Sequence, residues 1–376
     1  MHIVLIVLDT LRWDYSHHFD WLLQYGFVKY AAWSAAPWTL PSHISMFTGL
    51  YPSEHGVHEP DEYLGIGVER LLAPKAREAM KALGYGLIGE LRDRGYRAVA
   101  YTANPFITPQ FGFQWDEWGL AWGFPGWLER EEDRAFVERA LEEGRGPLEA
   151  ALQLLRRGEL GKLARIGRRY LQFKAAEKLY GKWDKGALGI LRRLRGLRWD
   201  RPTFLFLNLM EVHEPYAAPL REVEEAAIAA SLLGKAPSEA VERWRRLYPR
   251  YAQYLSRRLR QIIGLLPKDA LVIITSDHGQ KLGEGGVLGH SAGLVDDVMV
   301  KAPLWIRWPG KAPKLREPVA LVDISAAVKC ALDGGEVRQR RPRAEAWGPS
   351  LVTGLLRYIS PGDAKGLRYG YRFSEP

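Results

Sequence analysis

Three short stretches of the chain carry side chains able to hold a cation or move a proton, and each follows an apolar run. Asp9 follows Ile3–Leu8, Glu211 and His213 follow Thr203–Asn208, and Asp277-His278-Gly279 follows Leu271–Thr275. Any one of these alone reads as an ordinary turn residue, because Asp and Asn are common at turns. Carboxylates and an imidazole recurring together read instead as ligands for a divalent metal. A fourth stretch supplies a hydroxyl. Ala36-Pro37-Trp38-Thr39-Leu40-Pro41-Ser42-His43 opens a predicted helix that ends near Gly49, with Thr39 at the cap and Pro41 in the first turn. A hydroxyl there lies in positive potential, which favours an alkoxide and an incoming anion, and a divalent metal would lower its pKa further. The bland reading of Thr39 is a helix cap.

The elements that must position these groups follow from the apolar pattern. Strands are predicted at Ile3–Leu8, Ala98–Thr102, Thr203–Asn208, Leu271–Thr275 and Pro303–Trp308, with a weaker one at Val319–Val322. Helical patterns such as Leu83–Arg94 and Tyr248–Leu266 lie between them. Buried strands alternating with helices predict an α/β fold: a doubly wound, mainly parallel sheet with helices on both faces. In such a sheet, ligands bind outside the carboxyl ends of the strands, which is where Asp9, His213 and Asp277 fall. Trp127–Leu197 has no strand signal and reads as amphipathic helices broken at Gly144, Gly146, Gly158 and Gly186. After Pro309-Gly310 the chain turns Pro- and Arg-rich. The expected division is a catalytic unit over 1–311, with a basic helical insertion at about 127–200, and a C-terminal segment over 312–376 packed on it.

Composition narrows the setting. No run of about 18 apolar residues occurs, which excludes a predicted membrane-spanning helix. The N-terminal apolar run is too short for a secretory h-region, and Cys330 is the only cysteine, so no intrachain disulfide can form. A cytoplasmic protein is expected. The net charge is +9, and its location matters more than its size. Arg156–Arg198 holds fourteen Lys/Arg against three acids, so the remainder is slightly acidic. Such a surplus is commonly a solvated helix face, and otherwise a contact for an anionic surface or acidic polymer. Tyr170, Phe173, Tyr180 and Trp183 interleave with these charges, but no nucleic-acid motif appears, so nucleic acid is disfavoured as a partner. Asparagine occurs only at Asn104 and Asn208, a depletion that hints at a thermophile.

The segment Ala36–His43, continuing through Thr48-Gly49 to Tyr51-Pro52-Ser53-Glu54-His55-Gly56-Val57, resembles the signature of the sulfatase-like family within the alkaline phosphatase superfamily. Ser276-Asp277-His278-Gly279 with Gly283-Glu284-Gly285-Gly286 and Gly289-His290 resembles the family's other metal-binding loop. His213-Glu214-Pro215-Tyr216 is similar to its His-X-Pro-Tyr element, Phe111–Glu117 to its Gly-Phe-Asp loop, and Leu321–Ile324 to a late strand–helix junction. The order is the family's own. Four positions depart from it. Thr39 stands where the family carries the Cys or Ser that becomes formylglycine, Thr10 replaces a second Asp, His43 replaces an Arg, and Gly285 replaces a His.

The resemblance implies that Asp9, Asp277, His278 and the Thr39 oxygen hold a divalent ion. An imidazole in that set favours zinc or manganese, with calcium and magnesium left open. Threonine cannot give formylglycine. Unmodified threonine is the nucleophile in the superfamily's nucleotide pyrophosphatase/phosphodiesterases and in lipoteichoic acid synthase, so Thr39 implies attack on a phosphoester, in a hydrolase or transferase. His213 and His290 would contact the anion or protonate the leaving group, and His43 would be a further substrate contact. A second metal held by Glu211, His213 and His290 is conceivable, and His55 reads as packing beneath the loop. The substrate expected is an anionic small-molecule, lipid or glycan ester. Two alternatives stay open: a sulfuric ester hydrolase without formylglycine, and a non-catalytic anion-binding protein on this fold. Oligomeric state is open too.

Overall fold

A computed structural model of the chain describes every residue except 122, 126, 127, 129, 181, 182 and 217–220, and the side chains other than those at 131, 141, 142, 176, 177 and 180. Its twelve strands are β1 Ile3–Leu8, β2 Val28–Trp33, β3 Arg97–Thr102, β4 Glu117–Leu120, β5 Thr203–Leu209, β6 Leu271–Thr275, β7 Lys281–Leu282, β8 Leu288–Gly289, β9 Lys301–Arg307, β10 Val319–Ala320, β11 Ala344–Ala346 and β12 Arg372–Ser374. Eight of them form one sheet in the order β10-β2-β9-β6-β1-β5-β3-β4, while β7 pairs with β8 and β11 with β12. The run β6-β1-β5-β3-β4 is parallel throughout, and β9 lies antiparallel to both of its neighbours, β6 and β2.

Strand β1 shows why the sheet is central. All six residues are buried. Val4, Ile6 and Leu8 pack into one apolar cluster, and Ile3, Leu5 and Val7 into another on the opposite face. Two-residue alternation sends side chains to both faces, so a strand covered on both sides must be apolar throughout. Each such side chain contributes about 1.5–3 kcal/mol relative to exposure. One face is covered by the long helix Ser238–Ile263, through Trp244, Tyr248, Tyr251 and Leu255. The other is covered by helix Thr39–Thr48, through Leu40, Ile44, Met46 and Phe47.

The doubly wound architecture matches the sequence expectation. Strands β2 and β4 carry no clean apolar run in sequence, since each mixes exposed and buried positions near a sheet edge, and both escaped it. The insertion forms helices Glu131–Glu142, Pro147–Arg156, Leu160–Tyr180 and Ala187–Gly196. Gly144, Gly158 and Gly186 between them adopt positive φ, a conformation that side chains with a Cβ rarely take. Trp127, the expected start of the insertion, and the Tyr180 side chain lie outside what the structure describes. Among the described residues, no helix is long and apolar enough to cross a membrane.

The C-terminal residues are tied back to the body at the far end of helix Thr39–Thr48. Arg340 donates to the Gly49 carbonyl at 2.9 Å and to both Glu54 carboxylate oxygens at 2.5 and 2.7 Å. Glu345 accepts from the Ser53 amide at 2.8 Å.

Candidate active site

Because β1 is flanked by β5 and β6, the residues that follow these strands are brought to one edge. Asp9 and Asp277 meet there across the β1–β6 pair, both fully buried. The Thr10 amide donates to Asp277 Oδ1 at 3.2 Å, and the His278 amide donates to the same oxygen at 3.1 Å. Thr10 makes the first of these with φ at 61°, which is strained backbone for a β-branched residue.

Helix Thr39–Thr48 enters from the other side of β6. Its N-cap is Trp38, so Thr39 is the first helical residue and not the cap expected from sequence. The Thr39 side chain makes no capping bond, which frees its hydroxyl to face the strand ends. Thr39 Oγ1 lies 3.4 Å from His278 Nε2 and 3.4 Å from Asn104 Nδ2. His278 Nδ1 faces the Gly279 carbonyl at 2.8 Å, which turns Nε2 toward the cluster.

Asp9, Asp277 and His278 each offer a ligand atom within 4.8 Å of the others. Asp9 Oδ1 and Asp277 Oδ2 are buried without a hydrogen-bond donor. Two buried carboxylates with unpaired oxygens are costly without a cation, so this donor set fits a divalent metal. The electrostatics agree. Burial together with the charge of Asp9 pushes the Asp277 carboxyl well above the usual range. Burial would raise Asp9 likewise, but His213, His278, His43 and the Asn104 amide outweigh it and hold Asp9 below its ordinary value. Burial, with the charge of His290, depresses His278 to about 3, so its imidazole is a neutral donor.

His213 and His290 line a cleft of about 430 Å³ above Thr39, with Asn104 and the apolar side chains of Trp38, Phe106 and Leu355. Their rings meet edge to face, 4.9 Å between centroids. Glu214 stands between them, Oε2 3.5 Å from His213 Nδ1 and Oε1 3.4 Å from His290 Nδ1. Burial opposes a charged His290, yet the charge of Glu214 beside it raises its pKa overall.

Two expectations change in place. His43 is fully buried, with Nδ1 2.9 Å from the Thr39 carbonyl and 3.6 Å from Asp277 Oδ2, so it backs the carboxylates and does not line the cleft. Glu211 does not face the two histidines. Its Oε1 accepts from the Lys185 and Ala187 amides at 3.0 and 2.8 Å, which holds the start of helix Ala187–Gly196. Glu214 instead joins His213 and His290 in the second group able to hold an ion. His55 packs as expected, Nε2 3.0 Å from Ser45 Oγ and Nδ1 accepting from the Val57 amide.

Two positioning residues escaped the sequence reading. Asn104 and Asn208 both donate to Asp9 Oδ2, at 2.8 and 3.1 Å. The signal was present: they are the only asparagines in the chain, and both sit at strand ends.

The sulfatase family model matches residues 1–329. The chain belongs to the sulfatase family. No curated protein sequence matches it. Among solved structures, this sulfatase-family chain is similar to the phosphonate monoester hydrolase of Agrobacterium radiobacter at 17% identity, TM-score 0.55, covering 92% of this chain and 80% of that one. It is similar to the phosphonate monoester hydrolase from Silicibacter pomeroyi at 15% identity, TM-score 0.55, covering 92% and 79%. A 2-O GAG sulfatase matches at 12% identity, TM-score 0.51, covering 93% and 78%. At these identities the likeness establishes the shared fold.

Proposed function

We propose that this sulfatase-family protein cleaves phosphoesters, with Thr39 as the nucleophile. The observation that carries the reading is the Thr39 hydroxyl, at a helix N-terminus, 3.4 Å from His278 Nε2 and lining the cleft. Asp9, Asp277, His278 and Thr39 Oγ1 would hold one divalent ion, zinc or manganese before calcium or magnesium. Such an ion, when bound, supplies positive charge that acidifies a hydroxyl and neutralises ester oxygens.

This chain's own residues do the rest. Thr39 Oγ1 passes its proton to water in the cleft and bonds to phosphorus as the bond to the leaving alcohol breaks in line. The first amides of helix Thr39–Thr48 face the developing negative charge. His213 or His290, held by Glu214, gives the leaving oxygen its proton. Water then cleaves the phosphothreonine, or a second alcohol takes the phosphoryl group. The apolar walls at Trp38, Phe106 and Leu355 suit an ester whose alcohol part is not a bare ion. The proposed division keeps residues 1–311 as the catalytic unit, with 312–376 adding β10 to the edge of its sheet and tied to it by the Arg340 and Glu345 bonds. A cytoplasmic site of action remains part of the proposal.

A threonyl ester lacks the second hydroxyl through which a formylglycine hydrate expels sulfate, which is why phosphorus is preferred here to sulfur. The test compares matched aryl phosphate, aryl phosphodiester, aryl phosphonate and aryl sulfate substrates for the native protein and Thr39→Ala. Phosphoester turnover should dominate and fall at least about 10³-fold in the variant. Dominant, Thr39-dependent sulfate hydrolysis would establish the sulfatase alternative, and equal residual rates in both proteins the anion-binding one.

A further inference from the structure

The helical insertion leaves apolar side chains facing water, and it does so beside its positive charge. Leu148, Leu160, Leu171 and Leu179 are between 62 and 74% exposed, and no other described large hydrophobic side chain exceeds 60%. On helix Pro147–Arg156, Leu148, Leu152 and Leu155 recur at four- and three-residue spacing, which places them on one face. On helix Leu160–Tyr180, Leu160 and Leu171 are eleven residues apart, three full turns, and share a face likewise. Both helices keep an inward side, with Leu154 and Ile166 buried in one shared apolar cluster with Leu128 and Val137. The outward leucines are therefore additional to what the module needs to fold.

Exposed Arg156, Arg157, Arg168, Lys174 and Lys178 are interleaved with these leucines. A hollow of about 370 Å³ beside the same helix is lined by Arg130, Arg165, Arg168 and Arg169, with Asp133 as its acid.

We propose that this face docks on an anionic lipid bilayer, the leucines entering the interfacial layer and the cations meeting phosphate headgroups. Each rival occupant satisfies half of the pattern. A nucleic acid would neutralise the arginines but gain nothing from leucines 62–74% exposed. A second copy of this chain would cover the leucines but bring like charges together. A bilayer with negative headgroups takes both, as amphipathic basic helices do at membrane interfaces. The proposal does not depend on which ester the catalytic cleft takes.

The experiment is flotation of the full-length protein with phosphatidylcholine vesicles, with and without phosphatidylglycerol. Binding should be at least about tenfold stronger to the anionic vesicles and should weaken as salt rises. Combined Leu148→Glu, Leu152→Glu and Leu155→Glu should abolish it. A second variant, Arg156→Gln with Arg157→Gln and Arg168→Gln, keeps every leucine and should lose the preference for phosphatidylglycerol. It decides the matter even if the first variant melts early. Absence of vesicle binding, or equal binding to both vesicle types, overturns the proposal. So does capture by duplex DNA that the leucine changes leave intact, or self-association that they dissolve in a protein indifferent to vesicles.

Discussion

Asp9 is buried among donors that leave one of its oxygens free. Oδ2 is bonded by the Asn104 and Asn208 amides, and Oδ1 is left without a donor in a carboxylate that lies beside Asp277 and His278. Partners of this kind fix the direction of a ligand and are worth about 10–100-fold in metal affinity. Asn104→Ala should therefore weaken zinc or manganese binding by about that factor with Thr39 and both carboxylates intact. Calorimetric titration checks it, and unchanged affinity would remove Asn104 from the site. Asp277→Asn should act with two opposite signs. Without metal it relieves the repulsion between two buried carboxylates, so the melting temperature should rise, by about 1 kcal/mol in stability. With metal, the upward melting shift expected of the native protein should vanish, because the charge Asp277 would offer the ion is gone. A variant stabilised by metal as strongly as the native protein would clear Asp277 of the ligand role.

At the scale of elements, the loop after the short helix Pro52–His55 holds a group whose protonation follows folding. Burial pushes the Glu59 carboxyl up to about 7, and its Oε1 has no partner. Its folded value lies above the ordinary value of about 4.3. Between these two values the folded state binds more protons than the unfolded one, so stability falls as pH rises through that window. Above about pH 7 the full penalty is present. Glu59→Gln should match the native protein near pH 4 and melt at a higher temperature at pH 8.5, as thermal scans across pH would record. The Arg340 bridge is another element-level tie, joining the C-terminal residues to the end of helix Thr39–Thr48 and to Glu54. Arg340→Ala should lower stability by about 1 kcal/mol, since the bidentate pair is partly exposed. Retention of full stability would show that the segment is held by Glu345 and its neighbours.

At the scale of the whole molecule, what was legible in sequence divides along physical lines. Strands β1, β5 and β6 are covered on both faces, so their apolar runs are unbroken and their ends, with Asp9 and Asp277, could be read directly. Strand β2 near one edge and β4 at the other mix exposed and buried positions, and nothing in their local pattern separates them from loop. Thr39 and His278 were legible through their motifs. Asn104 and Asn208 stood out only as the chain's two asparagines at strand ends; their role, and that of Glu214, lies in contacts 95, 199 and 76 residues distant in the chain, to Asp9, Asp9 and His290. The inward turn of His43 came from packing against Phe206, which no sequence spacing reveals.

The sheet order carries a consequence for how the molecule must be built. Strands β1 and β2 are consecutive in the chain, yet β6 and β9 lie between them in the sheet. Asp9 and Thr39 therefore reach their final separation only after residues 271–307 have inserted themselves. A nascent chain shorter than that holds both groups but has no framework to set the distance between them, and its two earliest strands are free to pair wrongly with each other. Closure of so long a loop is slow, since its entropy must be spent before the contacts repay it. Acquisition of metal in a refolding experiment would then mark the last event of assembly, and the time spent before it is the interval in which this chain is exposed to aggregation.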